Sequence, residues 1–208
     1  MTEKSPERLV FFTDAVVAIA LTLLILPLTE VVPEVVAAHG DPVEAITENQ
    51  ATIWSFLLSF VVIGRQWFAH HRLFEQVRAY NTPLAVTNML WLLTVIVMPF
   101  ATQMVGGFSI NLFTSLLYIG TILANSACVS VMTLIVRADP ALLRDNAEID
   151  RRWLFNTFGT TLALVVAFVL VVIVPATNYY SLLLLLVPPL VARLVYAGAP
   201  PKSAQLSE

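Results

Sequence analysis

The chain has 208 residues, of which 58% are hydrophobic and 12% are charged, and its formal net charge is −3. Soluble domains contain about 45–50% apolar and about 25% charged residues, so this composition excludes an ordinary water-soluble domain. The mean hydropathy of +0.82 indicates that a lipid bilayer is the solvent, and the length allows about six membrane spans of roughly 20 residues.

We predict an all-α membrane protein with one transmembrane domain over residues 1–196 and a disordered polar tail over residues 197–208. Each predicted span is an apolar run that crosses a bilayer at about 1.5 Å per residue. Gly106 and Gly107 break the helix between spans 3 and 4, and Pro175 stops span 5. The six predicted spans cover residues 9–28, 51–73, 83–105, 110–136, 153–174 and 180–196, with boundaries that are approximate.

The distribution of basic residues predicts the orientation in the membrane. With six spans, all 11 Lys and Arg residues fall on one face, and cytoplasmic loops collect Lys and Arg. We therefore expect both termini in the cytoplasm and the protein in the plasma membrane of the cell. The opposite face has only acids, in the connection 30–50. These acids either belong to a solvated loop or concentrate cations at a pore mouth.

An acid inside the first span predicts polar partners on other spans. Asp14 lies about 8 Å inside the cytoplasmic end of the span, and a carboxylate within a membrane helix needs a partner. Arg8 is turned about 120° away on the same helix, which makes it a poor partner. We expect Asp14 and Thr13 to form a buried network that either locks helices together or takes part in conduction. The candidates at the same depth on spans 2 and 3 are Arg65, Trp67, His70, His71 and Asn88.

An apolar stripe lies deeper in the same span. Ile19, Leu23 and Leu26 are spaced i, i+4 and i+7, which places them on one helix face, and Thr22 lies beside them. Stripes with this spacing usually face lipid or other helices. If this stripe surrounds a symmetry axis, it forms stacked rings of branched side chains that gate a pore by expelling water. Thr22 then supplies the side-chain oxygen of that stretch.

Motifs for other chemistry are missing from the sequence. Cys128 is the single cysteine, and the adjacent His70 and His71 point about 100° apart on a helix, without further ligands for a metal. The sequence has no Gly-rich phosphate loop, nucleophile elbow or zinc-protease signature. It also lacks the Thr-Val-Gly-Tyr-Gly filter of carbonyl-lined potassium pores. We expect no enzymatic activity, no cofactor, no bound metal and no nucleic-acid partner.

The first span also contains an ordered set of motifs. Arg8 comes first, Phe12-Thr13-Asp14 follows, and residues 18–24 read Ala-Ile-Ala-Leu-Thr-Leu-Leu. This order resembles the transmembrane protein 175 family of potassium channels, whose signature is an arginine, Phe-Ser-Asp and an apolar helix containing Ala-Ile-Ala-x-Thr-Leu-Leu. Threonine stands here in place of the usual serine. Weaker matches to the family are Ser59-Phe60, Trp67, His70, Asn88 and Met98-Pro99-Phe100.

The resemblance implies a homotetramer with a central pore that the first helix of each subunit lines. It implies that Ile19 forms the hydrophobic constriction, that Leu23 and Leu26 form further layers, and that Thr22 lines the pore beside them. The implied function is a potassium-selective leak channel in membrane lipid, through which K+ and other monovalent cations pass without a cofactor. Bacterial members of the family have one six-span repeat, which suits the length of this chain.

The resemblance also implies a structural role for the polar residues around Asp14, which would tie the first helix to spans 2 and 3. From the residues alone, other functions stay open: a non-conducting membrane protein, a small secondary carrier, or a proton pathway through Asp14 and His70. The predicted structural polar network comprises Arg8, Phe12, Thr13, Asp14, Trp67, His70 and Asn88.

Overall fold

The computed structural model describes residues 5–108, 111–145, 147–188 and 191. Helices α1 to α7 cover Glu7–Leu23, Leu26–Ala37, Glu44–Thr47, Gln50–Glu75, Thr82–Gly107, Leu112–Ala138 and Arg151–Ile173, and two 3-10 helices cover Pro140–Leu142 and Pro175–Leu186. Among the described residues, five helical segments are long and apolar enough to cross a bilayer, and α1 with α2 forms the first of them. The prediction of an all-helical, multi-pass membrane protein is confirmed.

The sixth predicted span, about 180–196, lies largely outside the described residues, and the tail 197–208 lies wholly outside them. The described part of that span up to Leu186 belongs to the 3-10 helix Pro175–Leu186. Pro175 follows α7 directly, and a proline cannot donate the backbone hydrogen bond that would continue α7. A sixth span, and with it an even number of crossings, stays a prediction.

The first crossing differs from the continuous helix over 9–28 that the sequence predicted. Helix α1 ends at Leu23 and α2 begins at Leu26. Pro27 explains this break, because it has no N–H to donate to the Leu23 carbonyl and its ring crowds that carbonyl. Helix α2 then runs on to Ala37, and His39, with a φ of 56°, lies in the left-handed region that commonly follows a helix end.

Helix α5 lies at the centre of the described bundle and packs against α1, α4 and α6, while α6 also packs against α7. Its buried face includes Trp91, Leu84 and Ala101, which are inaccessible to solvent. The side chains of Asn81 and Asp150 cap α5 and α7 by accepting hydrogen bonds from Leu84 N and Trp153 N at 3.0 and 2.7 Å. The central position of α5 allows one helix to hold α1 and α4 in fixed register.

Two loops on the face where the Lys and Arg residues are predicted to lie are joined by backbone hydrogen bonds. Arg78 N donates to Leu142 O and Arg144 N donates to Gln76 O, both at 2.8 Å. These bonds form an isolated antiparallel bridge between the α4–α5 connection and the α6–α7 connection. The bridge fixes the ends of four helices at the face where the arginines gather.

Candidate functional site

The candidate site is built around α1, whose adjacent residues Thr13 and Asp14 reach two different helices. Successive residues point about 100° apart on a helix, so Thr13 faces α5 while Asp14 faces α4. Asp14 Oδ1 accepts a hydrogen bond of 2.8 Å from Trp67 Nε1 on α4. Thr13 is fully buried. The carboxylate of Asp14 thereby gains the partner that its place inside the membrane requires.

A chain of hydrogen bonds links Thr13 on α1 to helices α5 and α4. The donor and the acceptor of each bond in this chain can be assigned. The Thr13 hydroxyl donates to the Leu9 carbonyl at 2.8 Å, and a carbonyl can only accept. Asn88 Nδ2 donates to Thr13 Oγ1 at 2.9 Å, which leaves Asn88 Oδ1 to accept from His70 Nε2 at 2.6 Å. His70 therefore carries a proton on Nε2. We call Thr13, Asp14, Trp67, His70 and Asn88 the polar layer.

The ring of His70 is held between two aromatic rings. Phe74 stacks on it at a centroid distance of 4.4 Å and Trp91 at 4.2 Å. Trp91 Nε1 in turn donates to Asn125 Oδ1 on α6 at 2.9 Å, and Asn125 Nδ2 donates to Thr94 Oγ1 at 2.8 Å. The polar layer is thus coupled through Trp91 to a second network between α5 and α6.

This second network was missed by the sequence analysis. The signal for it is that Trp91 lies three positions after Asn88, on the same face of α5. A third set of hydroxyl bonds joins α4, α5 and α6, where Thr102 Oγ1 lies 2.7 Å from Ser59 Oγ and Ser59 Oγ lies 2.9 Å from Tyr118 Oη. Polar side chains between apolar helices satisfy one another because lipid offers them no partner.

Not every predicted member joins the polar layer. Arg8 and Phe12 lie on the exposed side of α1 and make no hydrogen bond to α4 or α5 among the described residues, because their positions on the helix turn them away from Thr13. Arg65 points to the opposite side of α4, where its Nη1 donates to Leu185 O at 3.0 Å. His71 pairs with Glu75 at 3.5 Å near the end of α4.

The predicted pore residues of α1 lie on the side that faces away from the bundle, and Leu26 is exposed at the start of α2. Ile19, Leu23 and Leu26 are 59%, 42% and 49% exposed. Val17 and Ala20, on the packed side of α1, are each 2% exposed. We call Ile19, Thr22, Leu23 and Leu26 the exposed stripe. Leu26 follows the break before Pro27, so its direction is set by α2 rather than by the turn of α1.

Thr22 contributes a hydroxyl oxygen to the exposed stripe. Its hydroxyl donates to the Ile19 carbonyl at 2.7 Å, which uses the only proton that the hydroxyl has. The remaining lone pairs of Thr22 Oγ1 are free to accept from water or to contact a cation. Among the described residues, no three His, Cys, Asp or Glu side chains come together as a metal site would require.

The Asp14–Trp67 bond yields a first prediction. We expect Trp67→Phe to lower the free energy of unfolding by about 1–2 kcal/mol, since it removes one hydrogen bond to a carboxylate while keeping an aromatic ring. Unfolding of the detergent-solubilised protein by increasing SDS measures the change. Trp54→Phe is the matched control, because Trp54 is exposed and no hydrogen bond is described for it. Equal effects of the two substitutions would contradict the assigned role of Trp67.

Comparison with known proteins shows a similarity in the segment that builds this site. Residues 8–99, which contain the polar layer and the exposed stripe, match the family model described as "Endosomal/lysosomal potassium channel TMEM175". A bovine protein named "Endosomal/lysosomal proton channel TMEM175" is 36% identical over 110 residues, which are 50% of this chain and 23% of that protein.

Two bacterial proteins match a similar share of the chain. A protein of Streptomyces collinus named as a potassium channel is 35% identical over 97 residues, 47% of this chain and 46% of its own length. A second one, from a Chryseobacterium species and also named as a potassium channel, is 31% identical over 99 residues, 48% of either chain. The chain spans less than half the length of these curated relatives. The resemblance that the motifs of the first span predicted is confirmed, because residues 8–99, the segment that builds the site, match the TMEM175 family model.

Proposed function

We propose that this protein is a potassium-selective leak channel in which the exposed stripe of α1 lines the ion pathway. The observation that supports the proposal most is the exposure of Ile19 and Leu23 on α1, opposite the face that packs on α4 and α5, within the segment that matches the family model. Leu26, at the start of α2, is also exposed. A single α1 encloses no space, so the pathway requires several copies of the chain. We propose a homotetramer with both termini in the cytoplasm of the cell.

The proposed mechanism rests on a ring of Ile19 side chains. Such a ring expels water and sets an energy barrier equal to the loss of ion hydration. Potassium holds its hydration water less tightly than sodium, so the barrier is lower for potassium. The Thr22 oxygen, with its proton committed to the Ile19 carbonyl, replaces part of the lost hydration. Selectivity then arises without a ring of backbone carbonyls.

The polar layer positions α1 in this proposal and does not contact the ion. Thr13 and Asp14 attach the helix to α5 and α4 within the first two turns. Ile19 lies about 8 Å further along the helix. Because Thr13 and Asp14 are short side chains, their bonds fix the rotation of α1 and hence the direction in which Ile19 points. Conduction should therefore depend on the polar layer through the geometry of α1.

Ion flux through purified protein in liposomes tests the proposed function. We expect an outward potassium gradient to drive rapid, non-saturating flux, and an equal sodium gradient to drive much less. Light scattering on the same detergent-solubilised sample should give the mass of four chains. Saturable flux would favour a carrier, and absence of flux from folded, oligomeric protein would contradict the channel.

Proton conduction is the second candidate, because the bovine relative is named a proton channel. A path through the polar layer would have to pass along His70, Asn88 and Thr13. That chain ends on the Leu9 carbonyl, which can accept a hydrogen bond but cannot pass a proton on. Any proton flux is therefore expected along the exposed stripe. A pH gradient across the same liposomes, read with an internal dye, distinguishes the two ions.

A further inference from the structure

A cleft on the far side of α4 is separate from the polar layer and the exposed stripe. It is an open cleft with a volume of about 670 Å³ between α4 and α7, with α6 behind it. Gly64 keeps it open, since nothing lies within 4 Å of the position where a Cβ would be. Ligand sites in proteins have volumes of about 300–1,000 Å³, so the cleft has room for a lipid headgroup and the adjoining part of its acyl chains.

The cleft is positively charged. Arg65 and Arg72 line it, and none of the described residues that line it is acidic. Arg65 is partly buried, and the only hydrogen bond described for it goes to the Leu185 carbonyl, so most of its five N–H donors remain available. An arginine at membrane depth is costly unless it is paired. The cleft therefore favours an anion that approaches from the bilayer.

The remaining wall of the cleft is divided between apolar and polar groups. Phe60, Val61 and Phe68 form an apolar side along α4. On α7, Asn156 Oδ1 is buried and has no hydrogen-bond partner in the described structure. This oxygen is an acceptor without a donor, and because it is closed to solvent, a hydroxyl group supplies one only when the Asn156 side chain turns toward the cleft. The set of groups matches an occupant with an anionic phosphate, a headgroup hydroxyl and hydrocarbon chains.

We infer that this cleft binds an anionic phospholipid with a hydroxyl-bearing headgroup, of the phosphatidylglycerol class. Arg65 and Arg72 bind the phosphate, Asn156 accepts from the headgroup hydroxyl, and the acyl chains lie along Phe60 and Val61. All 11 Lys and Arg residues fall on one face in the predicted topology, which is the cytoplasmic side, where basic pockets between helices meet anionic headgroups. The inference depends on the membrane location of the chain and not on ion conduction.

Thermal unfolding of the full chain in detergent, with added lipid, tests the inference. We expect dioleoylphosphatidylglycerol to raise the Tm by several degrees and dioleoylphosphatidylcholine to have little effect. Arg65→Gln with Arg72→Gln should abolish the rise. Arg137→Gln is the matched control, since Arg137 is exposed on α6 and does not line the cleft. Gly64→Leu should also abolish the rise by filling the cleft, and leucine, unlike glycine, is a good helix former.

Native mass spectrometry of the same samples should show phosphatidylglycerol retained by the wild type and lost from the Gly64→Leu variant. Equal retention of phosphatidylcholine would overturn the inference. An equal rise in Tm with inorganic phosphate alone would overturn the lipid assignment and leave only an anion site. If Gly64→Leu instead changes the number of chains in the assembly, the cleft is occupied by a second copy of the chain and the inference is wrong.

Discussion

Replacing Ile19 with asparagine is expected to raise potassium flux and to remove most of the preference for potassium over sodium. An amide ring holds water where an isoleucine ring expels it, so both ions keep more of their hydration at the constriction. A barrier that falls by about 1.4 kcal/mol corresponds to a tenfold higher rate. We expect the potassium flux to rise by about this factor. The liposome flux assay with separate potassium and sodium gradients measures both effects.

Val165→Asn is the control for this experiment. Val165 is an exposed apolar residue of α7, away from α1, so it receives the same polar group in the membrane without altering the proposed pathway. We expect it to leave flux and selectivity unchanged. If Ile19→Asn and Val165→Asn behave alike, the assignment of Ile19 to the constriction is wrong.

Replacing Asn88 with leucine is expected to lower the free energy of unfolding by about 1–3 kcal/mol, the usual range when a buried polar group loses its partner. The substitution removes the acceptor of His70 Nε2 and the donor to Thr13 Oγ1 at once. His70 is 1% exposed, so no water can replace the amide. SDS-induced unfolding gives the magnitude, and Met89→Leu, at the next and exposed position of α5, is the control.

A double substitution shows whether this effect comes from the hydrogen bond. Phenylalanine in place of His70 keeps a ring between Phe74 and Trp91 and has no N–H to satisfy. Replacing both partners of a buried hydrogen bond by apolar groups is often nearly neutral. We therefore expect Asn88→Leu with His70→Phe to be more stable than Asn88→Leu alone. Additive losses would mean that the two side chains are not coupled.

The depth of polar residues along the helices was predictable, but their pairing was not. A rise of about 1.5 Å per residue sets Trp67, His70 and Asn88 at the level of Asp14. In the structure Trp67 and Asn88 bond to α1 directly, and His70 is joined to it through Asn88. Which group bonds to which depends on the rotation of each helix about its axis. One sequence does not determine that rotation, because these helices are apolar on several faces.

The helix break in the first crossing shows a second limit of prediction from the sequence. The break before Pro27 follows from the chemistry of proline and could have been predicted, yet the continuous apolar run concealed it. The stacking of His70 on Trp91 could not, because it requires knowing that α4 and α5 cross near both residues. The cleft beside Gly64 is likewise a product of packing between α4 and α7, which are far apart in the sequence.

Cysteine accessibility is the measurement that tests the pore assignment most directly. Cys128 is the single cysteine of the chain, so Cys128→Ala gives a background without thiols. Ile19→Cys in that background adds a thiol to the exposed stripe, and Val17→Cys adds one to the packed face of α1. Silver ion, a monovalent cation that binds soft thiolate ligands, should block potassium flux through the Ile19→Cys protein and leave the Val17→Cys protein conducting. Block of both variants, or of neither, would contradict a pathway lined by the exposed stripe of α1.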